Sequence, residues 1–136
     1  MNNQKNIVLC GVGGQGTVLA SKLLAAAAMS KDIPVMSAET IGMAQRGGSV
    51  FSHLRMGDNL YSPMIETGTA DLIIGFESGE TVRMLPYLKD HGHIVVSTRA
   101  VKPVTATLSG SDYDAPQMLE YLKAAVPNLT LVNADQ

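Results

Sequence analysis

Cysteine, histidine and charge are all scarce in this 136-residue chain. Cys10 is its single cysteine. That excludes an intrachain disulfide, and it excludes an iron–sulfur cluster held by this chain alone, because such clusters take several thiolates. There are three histidines. Two of them form His91-Gly-His93, but no carboxylate pattern surrounds the pair, so the stretch reads as a turn leading into a buried strand and no metal site is expected. Charged residues make up 16% of the chain and the formal net charge is −2, which leaves no basic footprint for nucleic acid or an anionic membrane. Tyr61, Tyr87, Tyr113 and Tyr121 are scattered and offer no platform for stacking bases. No apolar run reaches the length of a membrane span. The start, MNNQKNIVLCG, has no long apolar region ahead of its glycines, so no signal peptide is expected and a cytoplasmic location is.

What the chain does contain is an apolar fraction of 46%, enough for one domain with a core. Its eight methionines suit an adaptable core or interface. The single thiol reads as a small buried hydrophobe rather than a nucleophile. Residues 6–10 are apolar on both faces, as a buried parallel strand requires. Residues 17–30 follow with a helical apolar pattern, and residues 33–36 are a short second strand. Residues 49–56, SVFSHLRM, alternate as a strand does, and residues 60–62 are expected to pair back on them as a hairpin. Further strands are expected at 71–76, 93–97 and 129–132. Helices are expected at 77–90, bent at Pro86, and from Asp112 or Asp114 as cap to Val126. This alternation predicts an α/β fold: a Rossmann-like three-layer domain with a mostly parallel sheet and a β-hairpin insertion. The chain reads as a single domain over 1–136. Because a doubly wound domain covers its last strand with a helix, its C-terminal part is expected to be missing.

Two glycine-rich stretches carry the chemistry. The first is CGVGGQGTVLASK, in which Gly11, Gly13 and Gly16 fit the G-x-G-x-x-G spacing. A strand turning into a helix there leaves amides exposed at the helix start, where the dipole favours a phosphate, pyrophosphate or carboxylate. A tight turn with no ligand is the plain alternative, since the pattern alone is weak. A Walker loop is excluded, because Thr17 stands where that loop needs lysine. A dinucleotide site would want an acid at the end of strand two, and Glu39 is the candidate. Lys22 lies about one and a half turns up the helix, from where an ammonium can reach back to a phosphate or stay solvated. The second stretch is GMAQRGG, residues 42–48. Arg46 offers a permanently charged fork for carboxylate or phosphate, Gln45 a primary amide, and the glycines allow close backbone approach. Loops at the carboxyl ends of parallel strands are where α/β sheets bind ligands, so both stretches are expected to face one site. A surface turn with a structural salt bridge is the alternative for Arg46.

GVGGQGTVLASK, SAETIGMAQRGGSVFSHLRMG, YSPMI and ADLIIGFESGETVR, in that order, resemble the gamma-type subunit of the 2-oxoacid:ferredoxin oxidoreductases. The form GMAQRGGSV favours the branch acting on indolepyruvate. The resemblance spans residues 6–135 and stops short of the further helical stretch such subunits carry. It implies a division of labour. A large alpha subunit binds thiamine diphosphate and the [4Fe-4S] clusters, decarboxylates the 2-oxoacid substrate and passes electrons to ferredoxin, and coenzyme A takes the acyl group. No cofactor is assigned to this chain by itself, and coenzyme A is expected at a shared site. The resemblance places Gly11, Gly13, Gly14, Gln15, Gly16, Thr17 and Lys22 near the coenzyme A phosphates. It places Glu39, Gln45, Arg46, Gly47 and Gly48 toward the partner and the thiamine site. No catalytic acid or base is expected here, only positioning and electrostatic roles. Two alternatives stand beside this reading: a free-standing NAD(P)-dependent oxidoreductase, and a non-catalytic assembly subunit of the same complex.

Overall fold

The structure, a computed structural model, describes residues 4–12, 16–41, 49–98 and 115–132. Six strands form one sheet in the order β2-β3-β1-β4-β5-β6. They are β1 (Lys5–Val12), β2 (Val35–Ile41), β3 (Ser49–Met56), β4 (Ala70–Gly75), β5 (Leu88–Ser97) and β6 (Leu129–Val132). The helices are α1 (Thr17–Ser30), α2 (Ser78–Arg83) and α3 (Ala115–Ala125), with a 3-10 turn at Leu85–Tyr87. β1, β4, β5 and β6 pair in parallel, while β3 runs antiparallel to both β1 and β2. The sheet is therefore mostly parallel, with one reversed strand set into it.

Alternation along β1 builds the three layers. Val8 and Cys10 point into a cluster with Ile73, Ile94, Val96, Leu122 and Val126, against which Val82 of α2 and Leu119 of α3 pack. Ile7 and Leu9 point the other way, to Leu54 and to Ala20, Leu24 and Ala25 of α1. A strand buried on both faces must be apolar at every position, which is why IVLC shows no alternation.

Four expectations need correction. β1 does not stop at Cys10 but runs on through Gly11 and Val12, paired with Val50 and Ser49. β2 begins later and runs through Glu39 to Ile41, so SAETI is strand rather than loop. The hairpin exists, but its arms are β2 and β3, and residues 60–62 form no strand. The helix at 77–90 is short, because Pro86 supplies no amide and the chain passes through the 3-10 turn into β5 at Leu88. The expected caps Asp112 and Asp114 lie outside the described residues.

Candidate functional site

The carboxyl ends of the parallel strands define one edge. Val12, at the end of β1, pairs with Ser49, the first residue of β3. Ile41, at the end of β2, pairs with Val50. Residues 13–15 and 42–48 are thus attached to adjacent strands at the same edge. Gly75 ends β4 beside Cys10, and Ser97 ends β5 beside Val132.

Two helices start at this edge, and their first turns differ. Gly16 is the N-cap of α1 with φ of 87°, the left-handed region where a side chain is strained. No side chain caps α1, and its first turn holds no acid. Thr17 is buried, and its Oγ1 has no hydrogen-bond partner among the described residues. Uncapped amides and an unpaired hydroxyl form a donor set suited to an oxyanion. α2 is closed instead. The carboxylate of its N-cap Glu77 accepts from the amides of Gly79 at 3.0 Å and Glu80 at 2.8 Å.

Glu77 is fully buried, and Glu80 is 4% exposed. Burial pushes the Glu77 carboxyl above its ordinary value, with Glu80 adding to the rise, against the pull of the two amides and Arg83. Ser49 Oγ donates to Glu80 Oε1 at 2.9 Å. Arg83 Nη1 lies 3.9 Å from the same oxygen and donates to Ser49 Oγ at 3.4 Å. Thr81 Oγ1 donates to the Glu77 carbonyl at 2.7 Å and accepts from Cys10 Sγ at 3.8 Å. Burial pushes the Cys10 thiol up to about 12, which leaves it an inert core group. Gly75 makes this packing feasible, since a Cβ there would stand 1.8 Å from Thr81 Oγ1.

The sequence-predicted residues separate as follows. Gly11, Gly16 and Thr17 lie on the path from β1 into α1 at this edge. Lys22 is exposed on α1 with no ion-pair partner among the described residues. Glu39 is exposed in β2 opposite Ser52, and β3 separates its strand from β1. A dinucleotide site of the Rossmann type needs that acid on the strand beside β1, so the pairing disfavours Glu39 as a ribose ligand. Gly13, Gly14, Gln15, Gln45, Arg46, Gly47 and Gly48 lie outside the described residues. Sequence reasoning missed Glu77 and Glu80. The available signal was an acid ending a buried strand with a second acid three residues on, in FESGE, a spacing close to a capping box.

The histidine pair has a structural role. His91 adopts φ of 65° and its carbonyl accepts from Asn128 Nδ2, while His93 Nε2 shares a hydrogen bond with Thr130 Oγ1 at 2.7 Å. A cavity of about 410 Å³ lies at the start of β5, lined by Leu85, Leu88, Lys89, His91 and Val126. It occupies the opposite end of that strand from Ser97.

The reversed strand, the uncapped first turn and the two glycine segments at one edge define an α/β domain of a particular kind. A sequence model of the pyruvate ferredoxin/flavodoxin oxidoreductase family matches residues 6–135, and the chain belongs to that family. It is 39% identical over 132 residues to an indolepyruvate oxidoreductase subunit, IorB, of Archaeoglobus fulgidus, a match covering 96% of this chain and 65% of that one. Across four such subunits, the chain spans 54–65% of their length. Among solved structures, it superposes on a pyruvate oxidoreductase subunit of Thermotoga maritima with a TM-score of 0.63 at 20% identity, covering 96% of this chain and 62% of the other. It also superposes on a 2-oxoglutarate:ferredoxin oxidoreductase of Magnetococcus marinus, solved with 2-oxoglutarate, coenzyme A and succinyl-CoA bound. There the TM-score is 0.67 at 16% identity, over 98% of this chain and 20% of that one. Among the described residues, no helix is long and apolar enough to cross a membrane.

Proposed function

We propose that this chain is the small subunit of a cytoplasmic 2-oxoacid:ferredoxin oxidoreductase that acts on indolepyruvate and forms the acyl-CoA. Identity near 40% to indolepyruvate oxidoreductase subunits supports the substrate branch. The chain's chemistry supports the division of labour. Its one cysteine is buried and held protonated, so it supplies no thiolate for a cluster. Thiamine diphosphate, when bound by the large subunit, supplies the carbanion chemistry of decarboxylation, and the iron–sulfur clusters there carry single electrons to ferredoxin.

The role assigned to this chain is positional. Coenzyme A carries phosphates, and the first turn of α1 with Thr17 is the donor set that fits one, with Lys22 adding positive charge. Gln45, Arg46, Gly47 and Gly48 would face the partner and the thiamine site. The pairing of Val12 with Ser49 is the single observation that carries this reading, because it roots both glycine segments at one edge.

A pull-down with this chain as bait, followed by iron and thiamine assays, tests it. A brown, thiamine-containing partner is expected. A colourless chain that comes out alone and binds NADH would overturn the reading in favour of a dinucleotide enzyme. The assembly-subunit alternative differs at Arg46. On the positional reading, Arg46→Ala leaves the complex intact and weakens coenzyme A use. Loss of activity only through dissociation would make this chain a docking module.

A further inference from the structure

We infer that Glu80 is a positioning residue for this site, acting through Ser49 on the segment 42–48. The inference rests on the functional reading above. Ser49 is the residue at which that segment joins β3, and its hydroxyl is held at 2.9 Å by a carboxylate that is only 4% exposed. Arg83, the cation nearest to Glu80, keeps 66% of its side chain exposed and stands 3.9 Å away. A fully buried second carboxylate, Glu77, lies three residues before Glu80 in the chain. Burying a charge with so little compensation is costly, and a neutral amide could hold Ser49 at less cost.

The platform beneath Glu80 is rigid. Glu77 fixes the first turn of α2 through two amides, and Phe76 N donates to the Cys10 carbonyl at 2.8 Å, tying that turn to β1. Thr81, the residue after Glu80, sits against Gly75 with no room for a Cβ between them. α2 therefore cannot slide without disturbing the ends of β1 and β4. The carboxylate is the arm by which this platform sets where Gln45 and Arg46 leave the sheet.

The test is a steady-state titration of coenzyme A in the complex of this chain with its large subunit. Glu80→Ala and Ser49→Ala are each expected to lower kcat/KM for coenzyme A roughly tenfold, as small misplacements of binding groups do. The double variant is expected to be no worse than the worse single, because the two residues act as one unit. Glu80→Gln, whose amide oxygen still accepts from Ser49, is expected to keep most of the activity, and it covers the case in which the alanine variant does not fold. Wild-type turnover with unchanged constants in Glu80→Ala, or with additive losses in the double variant, overturns the positioning role alone. A wild-type complex without coenzyme-A-dependent turnover removes the functional reading, and this assignment falls with it.

Discussion

Gly75 and His53 show how single residues set the tolerances of this domain. A methyl group at Gly75 would meet Thr81 Oγ1 at 1.8 Å and Thr81 Cβ at 2.9 Å, and Thr81 is a buried, β-branched side chain with nowhere to swing. Gly75→Ala is therefore expected to destabilise the chain by about 1–3 kcal/mol in urea unfolding, the usual cost of overpacking. Thr81→Ala in the same background is expected to recover part of that loss. His53 is fully buried between Phe51 and Tyr87, with ring centroids at 5.5 and 5.3 Å. Its Nδ1 accepts from the Ile65 amide at 3.0 Å, so the ring is neutral with its proton on Nε2. Burial pushes its pKa below the ordinary 6.5.

The unfolded chain then binds this proton at a higher pH than the folded chain does. Stability from His53 is full above pH 6.5 and falls as pH drops from there toward the folded value. Glu77 works in the opposite direction. Its raised pKa lets the folded state hold the proton longer, so its contribution falls as pH rises above the ordinary 4.5. Comparing wild type with His53→Gln across pH 5 to 7 in thermal melts isolates the histidine. The wild type is expected to lose more stability on acidification than the variant, and parallel curves would contradict this. Neither feature was legible in the sequence. FESGE reads as a solvated helix start, and only the close approach at Gly75 buries its acids. SVFSHLRM shows which face His53 occupies but not that aromatic rings close over it.

At the scale of elements, α1 and β3 have the bounds their patterns predict, Thr17–Ser30 and Ser49–Met56. Local periodicity suffices for them, because a helix closes its own hydrogen bonds and an alternating strand declares its faces. The neighbours of a strand are a non-local matter. Nothing in the apolar pattern of β3 shows that it slots between β1 and β2, and that insertion moved Glu39 into a strand one place removed from β1. The end of α2 was misjudged for a similar reason, since a proline after one and a half turns diverts the chain into a strand that starts earlier than its apolar run. The cap of α2 is testable by itself. Glu77→Ala leaves the Gly79 and Glu80 amides unpaired and is expected to cost at least about 1 kcal/mol, read as a lower urea midpoint.

For the whole molecule, the central matter is which edge of the sheet does the work. The fold class and the location of that edge were legible, because alternating strands and helices imply parallel pairing and parallel pairing puts loops at the carboxyl ends. The roles of Gln45 and Arg46 rest on the family rather than on described geometry. One measurement tests the account directly: indolepyruvate-dependent reduction of ferredoxin by the purified large subunit, with coenzyme A present, before and after this chain is added. The account predicts that turnover appears or rises at least tenfold with the chain, and that Arg46→Ala chain binds equally well yet restores markedly less. Full turnover by the large subunit without this chain, or equal rescue by the Arg46→Ala variant, would contradict the claim that this edge serves the reaction.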